Sequence, residues 1–330
     1  MTGRGALLAL ALFGCAPSGA GLDALPAAPI AFVFRTVEET ERMLDEVEAK
    51  QKAGSPGPED EFTVKLEGLE KLAGRRTAAD VARDELGSVA IYTAPEKRLE
   101  LPEALARRSL PLDWSADHAS LMFRSSRGGV THLFEWIPAS GEVRQLTTGF
   151  EAQIDGCYGP DGAIAWVQVE KASIRIWVRR RGEPALPVSD GPRDLQPAWS
   201  PDGTRVVFTA DDGKGGLALR WLDPLGHARG ELGRGRSADF SPDGEWIVYS
   251  ARSSAGWRLW RMRRDGSGKR SLGSSGFEEN HPSVSPDGRY VVFEATKGAK
   301  TPTSRLFVRS FDGSVDRQLE FGGSGLVPVW

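Results

Sequence analysis

The sequence predicts an all-β chain: a six-bladed β-propeller with a small helical insertion near the N-terminus. Three observations predict it. A turn motif recurs at blade-length spacing. The same succession of β-forming runs follows each copy. The chain also stops where another unit starts, and the strands that would complete this unit stand near residue 30. Composition agrees with such a chain. Among 330 residues, 40% are hydrophobic, and 39 Gly and 21 Pro supply many turns. The formal charge of −3 gives no pull toward nucleic acid, and two cysteines cannot make a disulfide scaffold or a cysteine-rich zinc site.

Residues 1–14 read as a signal peptide. Arg4 supplies a positive start, and residues 6–13 (ALLALALF) form an apolar run too short to span a bilayer. The run ends in Leu12-Phe13-Gly14-Cys15. This resembles the bacterial lipobox, which implies cleavage after Gly14 and lipidation of Cys15. The plain alternative is an ordinary signal peptide with an incidental cysteine. Acyl chains on Cys15 would anchor the chain without a spanning helix. Ala16 follows, where an inner-membrane retention signal would have Asp, which points by analogy to the outer membrane. Residues 15–28 then read as a flexible tether.

The propeller is expected over residues 29–330. Residues 29–34 (PIAFVF) fit a second strand, with Phe34 standing where Phe208 stands in a later unit. Residues 37–87 read as an insertion. Thr36-Val-Glu-Glu39 is a capping box that opens a helix to about Lys52, and Thr77-Ala-Ala-Asp80 caps a second short one. Residues 88–92 (SVAIY) and 97–101 (KRLEL) supply the third and outer strands of the same blade. The rival reading is a separate α/β domain over residues 22–105, which leaves five blades and an open seam.

The repeat itself begins near Leu110. Trp199-Ser-Pro-Asp-Gly203, Phe240-Ser-Pro-Asp-Gly244 and Val284-Ser-Pro-Asp-Gly288 are near copies; Tyr158-Gly-Pro-Asp-Gly162 and Trp114-Ser-Ala-Asp-His118 are degenerate ones. Their spacings of 44, 41, 41 and 44 match the 40–45 residues of a four-stranded blade. Pro presets φ within the turn, Gly takes the positive φ, and the Ser and Asp oxygens bond nearby N–H groups. A β-rich run follows each turn, as in residues 204–208 (TRVVF), and then an alternating run such as residues 257–261 (WRLWR). Trp136, Trp177, Trp221 and Trp260 recur in these third strands, where packing between blades is expected. The final residues 326–330 (LVPVW) would close the ring by pairing with the N-terminal strand and leave no free edge.

These units resemble the TolB-type, WD40-like propeller repeat: an aromatic, Ser-Pro-Asp-Gly, then Ile/Val-x-Phe. The resemblance covers Leu110 to the C-terminus. It implies a non-catalytic scaffold of the bacterial envelope that binds protein, since TolB is a periplasmic propeller that works with a peptidoglycan-associated lipoprotein. This chain lacks a clear TolB N-terminal domain.

Catalytic signals are absent from the sequence. His118, His132, His227 and His281 keep no metal-ligand spacing with one another or with Cys or acids. No Gly-x-Ser-x-Gly elbow occurs. The acids Asp161, Asp202, Asp243 and Asp287 read as turn caps, and Cys157 as a small core residue. Loops from every blade converge where the inner strands begin, so the binding face is expected there. Alignment on Trp199 puts Asp155, Asp194, Gln196, Arg236, Asn280 and His281 at that face. The expectation is a monomer that takes an envelope protein or peptide there, with no nucleic acid, no metal and no cofactor. It is held to the outer membrane by its N-terminal lipid and faces the periplasm. The alternative is a propeller enzyme, a glycan lyase or hydrolase, or a binder of a metal or small ligand in the central channel.

Overall fold

Six four-stranded antiparallel sheets, one for each repeat, make up the described chain. The structure, a computed structural model, describes residues 25–39, 42, 88–93, 98–105, 109–273, 275–296 and 304–330. Residues 1–24, with Cys15, the leader and most of the tether, lie outside the described residues. So does most of the insertion.

Blade 1 is assembled from both ends of the chain. Ser324–Val329 pairs with Ile30–Arg35, which pairs with Ser88–Thr93, and Arg98–Glu100 forms the outer edge. Trp330 locks this blade: its indole N–H donates to the Ala28 carbonyl at 3.2 Å, and its backbone N–H donates to Ser283 Oγ of blade 6 at 3.0 Å. The register corrects one expectation. Val329 lies opposite Ala31 as Ala198 lies opposite Val207, so Phe32, not Phe34, takes the place of Phe208. The pairing level is set by Trp330, two residues deeper along the strand than the apolar run by itself implied. At the far end of that strand the capping box forms as read: Glu39 N–H donates to Thr36 Oγ1 at 3.1 Å, and Thr36 N–H to Glu39 Oε2 at 2.9 Å.

Blades 2 to 6 have innermost strands Ser109–Trp114, Ala152–Tyr158, Asp194–Trp199, Arg236–Phe240 and Glu278–Val284. Each then runs outward through three more strands. The apolar faces of neighbouring sheets meet in six buried clusters, one at each seam. The seam of blades 3 and 4 is the richest, and that of blades 2 and 3 the smallest. Residues alternate in and out along a strand, so each middle strand, buried on both sides, reads as a near-continuous apolar run.

The Ser-Pro-Asp-Gly turns behave as their chemistry dictates. Ser200 Oγ donates to Asp202 Oδ1 at 2.7 Å and accepts the Arg205 N–H at 2.9 Å. Ser241 with Asp243, and Ser285 with Asp287, repeat this arrangement. Gly203, Gly244 and Gly288 all take φ near +70°. In blade 3 the serine is replaced by Gly159, and a Cβ there would lie 2.6 Å from the Trp199 ring. Among the described residues, no helix is long and apolar enough to cross a membrane.

Candidate functional site at the channel mouth

Every innermost strand carries one extra residue as it leaves the channel mouth. The ladder slips between Ala31 and Val33 in blade 1, and at the matching level in the other five. Such bulges bend a strand and re-aim a side chain. Four of the bulged residues are not glycine yet have positive φ: Gln196 (53°), Ser237 (50°), His281 (48°) and Val327 (48°). Each L-residue held there stores on the order of 1–3 kcal/mol, and β-branched Val327 is a marked outlier. Strain repeated at one level of a ring means that the surrounding structure fixes these residues firmly.

The side chains at this level form a bonded arc over blades 4, 5 and 6. Thr209 Oγ1 donates to Gln196 Oε1 at 3.0 Å. The Ser237 N–H of the next blade donates to both, at 3.2 Å to Gln196 and 3.1 Å to Thr209. Arg236 donates from Nη2 to Asn280 Oδ1 at 2.5 Å and lies 3.8 Å over the Trp257 ring. His281 Nδ1 meets Glu294 Oε2 at 3.1 Å. Glu294 also takes the Val327 N–H at 3.1 Å and the Ser304 hydroxyl at 2.9 Å.

Electrostatics follow from this arrangement. Burial lowers the Arg236 guanidinium to about 10, against the pull of the Glu294 and Glu278 carboxylates. Burial works against charge on Glu294 too, but His281 and the N–H and O–H donors around it hold its carboxyl down at about 2. The arc therefore keeps a guanidinium and a carboxylate charged at the edge of the channel.

Of the six residues expected at the face, Gln196, Arg236, Asn280 and His281 fall in this arc. Asp155 stands half-buried in the bulge of blade 3 and takes no part in it. Asp194 is 1% exposed and accepts the Gly191 N–H at 3.0 Å. It lines a cleft on the flank of blade 4 with Arg220 and Trp221, away from the arc. Glu294 was not anticipated. Its signal is an acid within residues 290–295 (YVVFEA), where the equivalent strands have Thr209 and Ser250.

At the opposite end of the inner strands, the residue before the aromatic ties blade to blade. Asp113 Oδ2 accepts the Tyr158 N–H, and Asp239 Oδ2 the Val284 N–H, each at 2.7 Å. Burial pushes the Asp113 carboxyl up to about 8, with the charge of Asp239 adding to the rise, and Asp239 up to about 6. Among the described residues, no group of three or more His, Cys, Asp or Glu is placed to hold a metal ion.

Comparison with known proteins agrees with the repeat. No protein-family model matches the chain. An uncharacterized protein of Agrobacterium fabrum is 28% identical over 190 residues, which is 55% of this chain and 64% of that protein. The Tol-Pal system protein TolB of Anaeromyxobacter dehalogenans is 37% identical over 86 residues, 24% of this chain and 19% of that protein. The chain thus covers less than two thirds of each of these relatives. Among solved structures, TolB from Acinetobacter baumannii superposes with a TM-score of 0.66 at 17% identity, over 94% of this chain and 68% of that one. In fold and in repeat, this chain is a TolB-like six-bladed β-propeller.

Proposed function

We propose that this chain is a lipid-anchored protein of the bacterial cell envelope that binds a protein or peptide partner at the channel mouth, without catalysis. The observation that carries the reading is the arc of Gln196, Arg236, Asn280 and His281. Gln196 and His281 stand on strained backbone, Gln196 and Asn280 accept hydrogen bonds from blade 5, and His281 is bonded to Glu294. Preorganised polar groups on a rigid rim bind with little ordering loss. The local likeness to a Tol-Pal system protein supports a partner in the envelope. Cys15 closes the apolar leader and is the residue proposed to take the lipid, with the propeller a monomer on the periplasmic side of the outer membrane.

Immobilised mature chain, incubated with envelope extract, is expected to retain one protein. The variants Gln196→Ala and His281→Ala are expected to release it. Retention of no protein, or equal retention by both variants, contradicts the reading. Cys15→Ser is expected to move the chain from membrane to soluble fractions, and unchanged partitioning contradicts the anchor.

A further inference from the structure

The second strand of every blade carries a ring at the seam with the preceding blade: Phe32, Phe123, Trp166, Phe208, Tyr249 and Phe293. In blades 2, 3, 5 and 6 a second ring stands across the ladder from it: Phe134, Trp177, Trp260 and Phe307. Three of these pairs stack, with centroids 5.6–6.3 Å apart. In blade 1 the place is taken by Phe321, 4.8 Å from Phe32. Blade 4 departs from the pattern, because Arg220 stands across the ladder from Phe208.

A cleft of about 200 Å³ opens at this place, between blade 4 and the linker from blade 3. Phe208 and Leu222 line it from the sheet, and Ser189, Asp190 and Gly191 from the linker. Phe208 is 5% exposed, whereas Phe123 and Phe293, each stacked on a second ring, are at 0%.

Size and charge say what fits. A cavity of about 150 Å³ holds a benzene ring, and sites for small molecules run to about 300–1,000 Å³, so this cleft suits one ring-sized group. The charges around it are matched. Arg229 lies 2.5 Å from Asp190, Arg220 lies 3.7 Å from Glu231, and buried Asp194 accepts the Gly191 N–H. A neutral occupant leaves these pairs intact. In blade 3 the second ring is an indole whose Nε1 donates to Glu170 Oε1 at 3.0 Å. Asp190 and Glu231, both exposed, can accept a ring N–H or O–H in the same way.

We propose that this cleft is a docking site for one tryptophan or tyrosine side chain of a partner polypeptide, which supplies the ring that blade 4 lacks. The site lies on the flank of the propeller, away from the arc, and adds a point of contact beyond the channel mouth.

The test is ligand-observed NMR titration of the purified mature chain with N-acetyltryptophanamide and N-acetyltyrosinamide, with N-acetylleucinamide as the aliphatic control. At least one ring probe is expected to bind about five-fold or more tighter than the control. Arg220→Trp copies blades 3 and 5, and Arg220→Phe copies blades 2 and 6. Each is expected to fill the cleft with the chain's own ring, to melt no lower than wild type and to weaken probe binding about ten-fold or more. Binding of neither ring probe, or binding no tighter than the leucine control, overturns the proposal. So does undiminished binding by both variants. A lowered melting temperature in both would show that the place rejects a ring, and overturns it too. Binding of free indole without binding of either capped residue would assign the cleft to small molecules and overturn the polypeptide source. Gln196→Ala and His281→Ala are expected to leave probe binding unchanged, so this site and the channel mouth are tested separately; loss of probe binding in those variants would put the probes at the mouth and overturn the proposal.

Discussion

The two ends of the inner strands are built on opposite plans. At one end, the Ser-Pro-Asp-Gly turns repeat nearly unchanged, and their serine hydroxyls accept N–H groups of their own turn. At the other, the bulged residues are Gln, Ser, His and Val in four successive blades, and the backbone N–H groups of Ser237 and Val327 donate to side chains of the preceding blade. Repetition at the turn rim serves folding, because each blade needs the same reversal of direction. Variety at the mouth, imposed on strained backbone, suits the proposed recognition, because a partner is told apart only by differing groups at fixed positions. One cluster bridges the two plans. Arg309 starts level with Val291, near the turn rim, and reaches Glu279, which lies one residue from Asn280 at the mouth.

The largest effect is expected from that bridge. Arg309 is 1% exposed and Glu279 is fully buried; Arg309 contacts both Glu279 oxygens and both Asp316 oxygens at 2.5–3.0 Å. Arg309→Met leaves buried carboxylates uncompensated, and should lower unfolding free energy by about 3–5 kcal/mol in urea titration. Glu279 also accepts the Leu259 N–H of blade 5 at 3.0 Å, so a loss below about 1 kcal/mol would show that the cluster does not hold blades 5 and 6 together.

Next comes the exception on the turn rim. Gly159→Ser restores the repeat motif of blade 3, but its Cβ meets the Trp199 ring. Overpacking there should cost about 1–3 kcal/mol. A stabilised variant would mean that the motif, rather than the packing of Trp199, governs that turn. A smaller loss, about 1 kcal/mol, is expected for Ser241→Ala, which removes the bonds to Asp243 and to the Trp246 N–H. Partner capture should be unchanged, since the proposed binding face lies at the mouth.

A further effect concerns pH. Asp113 and Asp239 titrate higher in the folded chain than in the unfolded one. The folded state therefore holds more protons between about pH 4 and 8, and their contribution to stability falls as pH rises through that window. Asp113→Asn keeps an acceptor for the Tyr158 N–H and removes one of these charges. Its stability relative to wild type should grow from pH 4 to pH 8; a constant difference would show that Asp113 titrates normally.

The same contrast explains what the sequence disclosed. The blades and their closure were legible because Ser, Pro, Asp and Gly act locally, and three copies in register with Trp330 leave few arrangements. The mouth was legible only in part. Asp194 and Gln196 differ by two positions, so plain alternation sends both to one face, but the bulge at Gln196 re-aims that residue while Asp194 stays buried as a strut. Proline follows the bulged residue in Gln196-Pro197, His281-Pro282 and Val327-Pro328, a faint mark of the bulge that strand periodicity overlooks.

The most direct test of the mouth as the binding face is site-specific photocrosslinking in intact cells. A photoreactive residue at Gln196 or His281 is predicted to join the same single envelope protein, and one at Thr204 or Glu245 on the turn rim is predicted to join none. Crosslinks from the turn rim alone would contradict the account.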